Sequence, residues 1–129
     1  MNSNAIETSI GILKGRDAIF VDGFQHVYNT IKIIGEINGG LCSRRPSNAE
    51  WYKYSLKFYN VKVYRCENID YYRWHKWNTV SSFDVISNSE WIEEYGFDNE
   101  IFQHYILETY DNVYFIICES YSFDIIGER

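Results

Sequence analysis

The sequence predicts a mostly β member of the α+β class: an antiparallel curved sheet, arranged as a sandwich or a half-barrel, with one short helix packed on it. Three observations support this prediction. Several short segments alternate between apolar and polar side chains, which is the period of a half-buried strand. Only one segment carries clear start and stop signals of a helix. No strand–helix–strand alternation occurs, and a doubly wound parallel sheet is therefore not expected.

The chain has 129 residues, and we expect a single domain over residues 1–129. Residues 1–8 are polar and are predicted to form a loose tail. Aromatic residues make up 19% of the chain, more than one core needs. Tyr and Trp suit both strands and interfaces, so this richness is compatible with a binding protein.

In the first part of the chain, strands are predicted where apolar residues alternate with polar ones or run between turn-forming residues. They cover residues 10–13, 18–21, 27–37, 51–59 and 61–65. Asp22-Gly23 predicts a turn, and Asn38-Gly39-Gly40 ends the long third strand. Pro46 lies in a predicted loop, and Asn60 marks a bend or a bulge.

The later part of the chain predicts a strand at 82–86, the short helix, and a hairpin. Ser87 and Glu90 match a capping box, and Ser89 is the alternative N-cap; Gly96 ends the helix. A strand at 104–110, a turn at Asp111-Asn112 and a return strand at 113–126, bulged near Ser120, follow.

Charge is unevenly placed along the chain. Residues 1–76 contain eleven Lys/Arg and seven Asp/Glu, a net charge of +4, whereas residues 77–129 contain one and eleven, a net charge of −10. The overall charge of −6 argues against nucleic acid as a direct ligand, because phosphate binding needs concentrated Lys and Arg. An acidic segment of this size favours a basic protein partner.

The compartment predicted from the sequence is the cytoplasm. The first residues lack the basic and apolar regions of a signal peptide, and no apolar run approaches the length of a membrane span. The three cysteines, Cys42, Cys66 and Cys118, form no C-x-x-C pair and are expected to be reduced, with Cys118 buried. No cofactor and no metal are predicted.

No catalytic motif occurs in the sequence. Two loose groupings of polar residues remain as candidates, His26 with Asp22 and His75 with Cys66 and Asp70. With Arg45, they define an alternative hypothesis, a small enzyme or ligand-binding domain with a pocket in the curved sheet. A structural, self-associating domain is a further alternative. The aromatic and basic run at 71–77 has the composition of a single-strand nucleic-acid platform, but it is short and lies in an acidic chain.

Two short motifs carry a resemblance to a known family. Asn88 to Trp91 reads N-S-x-W, and His104 to Tyr114 reads H-Y-x-L-x-T-Y-D-x-V-Y. Over residues 82–126, and more weakly at 23–26, the chain resembles small bacterial proteins that look like immunity proteins of polymorphic toxin systems. The resemblance implies a shared fold and inhibition by occlusion, without catalytic residues. In that family Glu often follows the position of Tyr114; Phe115 here removes any role that rests on that carboxylate.

The predicted function is therefore binding, not catalysis: the protein neutralises a cognate toxin domain, for example a nuclease, by covering its active site. An acidic, aromatic-rich surface complements a basic substrate cleft. The predicted partner-binding residues lie on and just after the helix. They are Glu90, Trp91, Glu93, Glu94, Tyr95, Asp98 and Glu100.

Overall fold

The computed structural model describes residues 2–71 and 79–129. Within these ranges, two antiparallel sheets pack face to face without closing into a barrel, which confirms the mostly β class and selects the sandwich. The strands are β1 (Asn2–Ala5), β2 (Ile19–Val27), β3 (Thr30–Asn38), β4 (Trp51–Tyr59), β5 (Val63–Asn68), β6 (Phe83–Ser87), β7 (Gln103–Glu108), β8 (Asn112–Cys118) and β9 (Ser120–Glu128). The helix α1 spans Glu90–Tyr95, and 3-10 turns span Gly39–Leu41 and Ile69–Tyr71.

The chain passes between the two sheets after β1, after β4 and after β8, and the last two crossings lie together at one end of the sandwich. The five-stranded sheet has the order β1-β6-β7-β8-β5, and the four-stranded sheet has the order β2-β3-β4-β9. Asn60, between β4 and β5, has a φ of 54°, which confirms the predicted bend. Glu119, between β8 and β9, donates its N–H to the Tyr59 carbonyl at 3.0 Å, so the two crossings are joined.

The main core lies between the sheets. β4 occupies the predicted residues 51–59, and its inward side chains Tyr52, Tyr54, Leu56 and Phe58 are all buried, as the alternation predicted. Phe58 packs against the rings of Phe83 and Tyr105 on the opposite sheet, with centroid distances of 6.1 and 5.7 Å. Cys118 is buried here, as predicted, and is a free cysteine.

The outer faces of the two sheets differ. The outer face of the five-stranded sheet carries a second apolar cluster, made of Ile69, Ile86, Ile106, Val113 and Phe115 with Trp91 packed on it. β8 is therefore buried on both sides. On the four-stranded sheet, the outer positions of β3 and β4 include Lys32, Lys53 and Lys57, which are at least partly accessible to solvent. Only the first of these faces is covered by α1.

The prediction of a loose tail at residues 1–8 is wrong. Asn2–Ala5 forms β1, which pairs antiparallel with β6 at the edge of the five-stranded sheet. Ile6 and Thr8 are buried directly after it. A polar edge strand is stabilised by backbone hydrogen bonds to its neighbour, and these leave no pattern in its own sequence. Residues 10–13, in contrast, make only isolated bridges, at Gly11 and Leu13, and not the predicted strand.

The predicted turn at Asp22-Gly23 is a bulge inside β2, where the register with β3 shifts between Val21 and Gly23. The turn lies instead at Tyr28-Asn29, with a φ of 56° at Tyr28, and it divides the strand predicted at 27–37. Ile31 and Ile33 nevertheless point into the core. Turn-forming composition occurs at both places, and strand pairing decides which one closes the hairpin.

The return strand predicted at 113–126 is two strands in different sheets. β8 pairs with β7, and β9 pairs with β4 after the crossing at Glu119. The irregularity predicted near Ser120 therefore marks a change of sheet and not a bulge. The change of sheet leaves no clear mark in the sequence, because the apolar run of β8 and the alternating side chains Tyr121, Phe123 and Ile125 of β9 pack into the same core.

Candidate functional site

The helix α1 is fixed at both ends by its own sequence. The Ser89 hydroxyl accepts a hydrogen bond from the Ile92 N–H at 3.3 Å, so Ser89 is the N-cap and the capping box predicted at Ser87 is not formed. Gly96 ends the helix with a φ of 74°, as predicted. A helix of six residues is too short to be stable alone, so packing on the sheet must hold it in place.

Trp91 provides that packing. Its ring stacks on His104 with a centroid distance of 4.9 Å and contacts Phe115 at 5.6 Å. The Ser89 hydroxyl lies 2.7 Å from Nδ1 of His104, so the cap of the helix is bonded to the sheet below it. Trp91 was predicted both to pack on the sheet, with Ile92 and Tyr95, and to contact a partner; its ring lies between the helix and the sheet and stays partly accessible to solvent.

Burial lowers the pKa of His104 to about 4, because the charged imidazolium is poorly solvated beneath the helix. His104 is therefore neutral at physiological pH. Since Ser89 already accepts from Ile92, its own hydroxyl proton is available to Nδ1 of the neutral ring. His104 is thus a buried structural histidine.

The charged residues of the predicted partner-binding site are all exposed to solvent. Glu90, Glu93 and Glu94 on α1 and Asp98 and Glu100 in the turn after it are exposed. We call these five residues the acidic face. No ion pair joins any of them to another residue of the described ranges. Asp98 also orders the turn, because its carboxylate accepts from the Glu100 N–H at 2.9 Å.

A pair of stacked aromatic residues, one exposed and one partly buried, lies at the end of the helix beside the acidic face. Tyr95 has 58% of its surface exposed and stacks on Phe97, with a centroid distance of 5.5 Å and nearly parallel rings. Ile101, in the following turn, is 48% exposed. Of the two aromatic residues in the predicted site, Tyr95 is exposed and Trp91 is partly buried against the sheet.

The residues of the two recognised motifs contact one another. Ser89 and Trp91 of the first motif meet His104 of the second, and Phe115 lies beneath Trp91. Thr109 closes the hairpin, since its hydroxyl is 2.7 Å from the Asn112 carbonyl and accepts from the Asn112 N–H at 3.1 Å. These motif residues build the scaffold beneath the helix.

The residues of the alternative enzyme hypothesis contact other parts of the protein. His26 contacts the ring of Tyr64 edge-on at 6.3 Å, and Arg45 donates to the Ala49 carbonyl within its own loop at 2.6 Å. Asp22 is exposed at the bulge of β2. His75, and the run at 71–77 except for the backbone of Tyr71, lie outside the described residues. Among those that are described, no three His, Cys, Asp or Glu side chains are grouped to hold a metal ion.

Two buried carboxyl groups were missed by the sequence reasoning. Asp84 on β6 is fully buried, and Glu108 at the end of β7 is 7% exposed. Burial, with the nearby charge of Asp84, raises the pKa of Glu108 to about 7, although a hydrogen bond from Thr79 acts in the opposite direction. The alternation of His104, Ile106 and Glu108 would have placed Glu108 on the outer face of β7, but its burial depends on loops distant in sequence.

The fold and this site define a two-sheet β-sandwich with an acidic surface beside its short helix. No family model, no curated protein and no solved structure matches the chain. The resemblance to immunity proteins stays a prediction from the motifs. None of the helices in the described part of the chain has the length and apolar character needed to cross a membrane.

Proposed function

We propose that this protein binds a basic protein partner through the acidic face and Tyr95, and that the partner is a toxin domain whose active site it covers. The observation that carries the proposal is the set of five exposed carboxylates on and just after α1, with no ion-pair partner in the described ranges. The toxin is suggested by the family resemblance, and the basic surface by charge complementarity.

The arrangement suits recognition for two physical reasons. Carboxylates that are not neutralised within the protein produce a field that accelerates the approach of a cationic surface. Tyr95 adds a large, partly apolar ring with a hydroxyl group, the kind of side chain that forms the energetic centre of many interfaces. The scaffold that holds these groups is fixed by Ser89, Trp91 and His104.

Reversing the charge of this face is expected to slow association with the partner. We would combine Glu93→Lys and Glu94→Lys with Asp98→Asn, which retains the oxygen that accepts from Glu100. The association rate at low salt should fall by about tenfold or more, and the difference should shrink at high salt as the charges are screened. Stopped-flow mixing with the cognate toxin domain at low and at high salt measures the association rate.

The control makes the same change of net charge at a distance from the acidic face. Asp17→Lys, Glu50→Lys and Asp124→Asn alter exposed positions outside α1 and the turn after it. An equal loss of rate in the control would show a general charge effect and would overturn the assignment of the site. Co-expression with the toxin domain tests the function itself: cells that die as fast with this protein as without it would exclude neutralisation.

A further inference from the structure

The edge of the sandwich formed by β5 lacks the features that usually prevent a strand from pairing with another chain. Within the described ranges the edge strands are β1, β2, β5 and β9. The ladders of β2 and β9 contain register shifts, and β1 is only four residues long. Bulges, short length, Lys and Pro all protect sheet edges. In contrast, β5 pairs with β8 over six residues without a register shift, and it contains neither Lys nor Pro.

The backbone of β5 has hydrogen-bonding groups that face away from its sheet. The Ile69 N–H, directly after β5, donates to the Asp111 carbonyl at 2.9 Å, directly before β8. Alternate residues of an antiparallel strand turn both backbone groups to the same side, so every second residue counted back from Ile69 faces β8. The N–H and C=O groups of Tyr64 and Cys66 therefore face the free edge of the sheet. There they can bond to one further strand.

Aromatic side chains are exposed along the same edge. Phe24, on the edge strand β2 of the other sheet, stacks on Tyr64 with a centroid distance of 5.2 Å. Phe24 is 40% exposed and Tyr64 is 37% exposed. A strand added to β5 would cover part of these rings, and the removal of apolar surface from water would add to the hydrogen bonds of the new pair.

The charges of β5 complement those of a second copy of β5. Arg65 and Glu67 lie on the outer face, where they form an ion pair at 2.6 Å. If two copies pair antiparallel about a two-fold axis at Cys66, Arg65 of each copy lies opposite Glu67 of the other. An axis at Arg65 or at Glu67 would instead place like charges opposite each other. The charge pattern therefore favours one register of self-pairing.

We propose that two copies of this chain associate by antiparallel pairing of β5 with β5, about a two-fold axis at Cys66. The two five-stranded sheets then form one continuous sheet, in which the two Cys66 residues exchange backbone hydrogen bonds. The pairing does not depend on the acidic face or on the proposed toxin. Because the interface consists of two short strands and their side chains, the dimer is reversible, with a Kd on the order of 100 μM.

Sedimentation equilibrium of the full chain in reducing buffer, without any other protein, tests the association. The concentration should range from about tenfold below to about tenfold above the expected Kd. Arg65→Glu or Glu67→Arg alone places like charges across the axis, and each should weaken dimerisation by about tenfold or more. An equimolar mixture of the two variants should form a mixed dimer about as tightly as the wild type, because every charge again faces its opposite.

The mixture is decisive because each single variant also loses the ion pair within its own strand. Arg44→Glu is the matched control. It breaks an exposed ion pair with Glu7, which follows β1 at the opposite edge of the sheet, and should leave dimerisation unchanged. Far-UV circular dichroism shows whether each variant is folded.

Cross-linking through Cys66 tests the register. Its Cα atoms should lie about 5.5 Å apart across the axis, within reach of the short thiol cross-linker bismaleimidoethane. Cys42 and Cys118 are buried, so Cys66→Ser should abolish the cross-linked dimer, and Arg65→Glu should reduce it. Three results would overturn the proposal: a monomer at the highest concentration, a mixture of charge variants that dimerises no better than either alone, or a cross-link that persists in Cys66→Ser.

Discussion

Between pH 4 and pH 8, the free energy of unfolding of the Glu108→Gln variant is expected to rise by about 3 kcal/mol relative to that of the wild type. The pKa of Glu108 is raised from 4.5 to about 7 in the folded protein, and each pH unit in this window corresponds to about 1.36 kcal/mol. Between these values the native protein retains a proton that the unfolded chain has released, so the free energy of unfolding falls as the pH rises. Glu108→Gln removes this loss, and the variant should gain about 3 kcal/mol relative to the wild type between pH 4 and pH 8.

The informative quantity is the difference in the free energy of unfolding between variant and wild type. The wild-type stability alone is less informative, because the protonation of His104 changes it with pH in the opposite direction. The pKa of His104 is lowered from 6.5 to about 4, so the stability that depends on its neutral form is complete above pH 6.5 and is lost as the pH falls towards 4. In the wild type the two contributions partly cancel. Urea denaturation at several pH values measures the difference, with Glu100→Gln as the control at an exposed position. Parallel stability curves for Glu108→Gln and wild type would contradict the prediction.

Replacing Trp91 with alanine is expected to lower the free energy of unfolding by about 3 kcal/mol. The ring joins α1 to the sheet through His104 and Phe115, and a six-residue helix has little stability without such a contact. Tyr95→Ala, one turn further along the same helix, removes a ring that is 58% exposed and should cost less than about 1 kcal/mol. Urea denaturation followed by far-UV circular dichroism compares the two variants without relying on tryptophan fluorescence.

Variants at Trp91 and Tyr95 distinguish a residue that supports the fold from one that contacts the partner. Trp91→Phe retains an aromatic ring between the helix and the sheet, so it should recover most of the stability lost in Trp91→Ala. Tyr95→Ala should instead weaken partner binding while leaving the fold intact. If Trp91→Ala costs no more stability than Tyr95→Ala, Trp91 does not anchor the helix, and its assignment to the scaffold fails.

The local patterns of the sequence predicted those features that depend on neighbouring residues. The alternation at 51–59 gave the bounds of β4 and its buried face, because successive side chains of a strand point to opposite sides. Ser89, as the alternative cap, and Gly96 marked the ends of α1. Glu90, Glu93 and Glu94 are exposed because ionised side chains without partners remain in water.

The sequence patterns did not predict features that depend on residues far apart in the chain. The polar start of the chain forms β1 only because β6, some eighty residues later, offers it a sheet edge. The apolar side chains of β8 and β9 concealed the change of sheet at Glu119, since both strands contribute to one core.

The sequence by itself determined the class of this protein, the position of its helix and the acidity of the surface beside that helix. Only the tertiary structure decided that Tyr95, predicted to pack on the sheet beside Trp91, faces solvent and that Glu108 is buried with one carboxylate oxygen unbonded within the described residues. The physical reason is that charge and periodicity are properties of the local chain. Burial, in contrast, depends on which segments cover a side chain, and the segments around Glu108 come from the beginning and the middle of the chain.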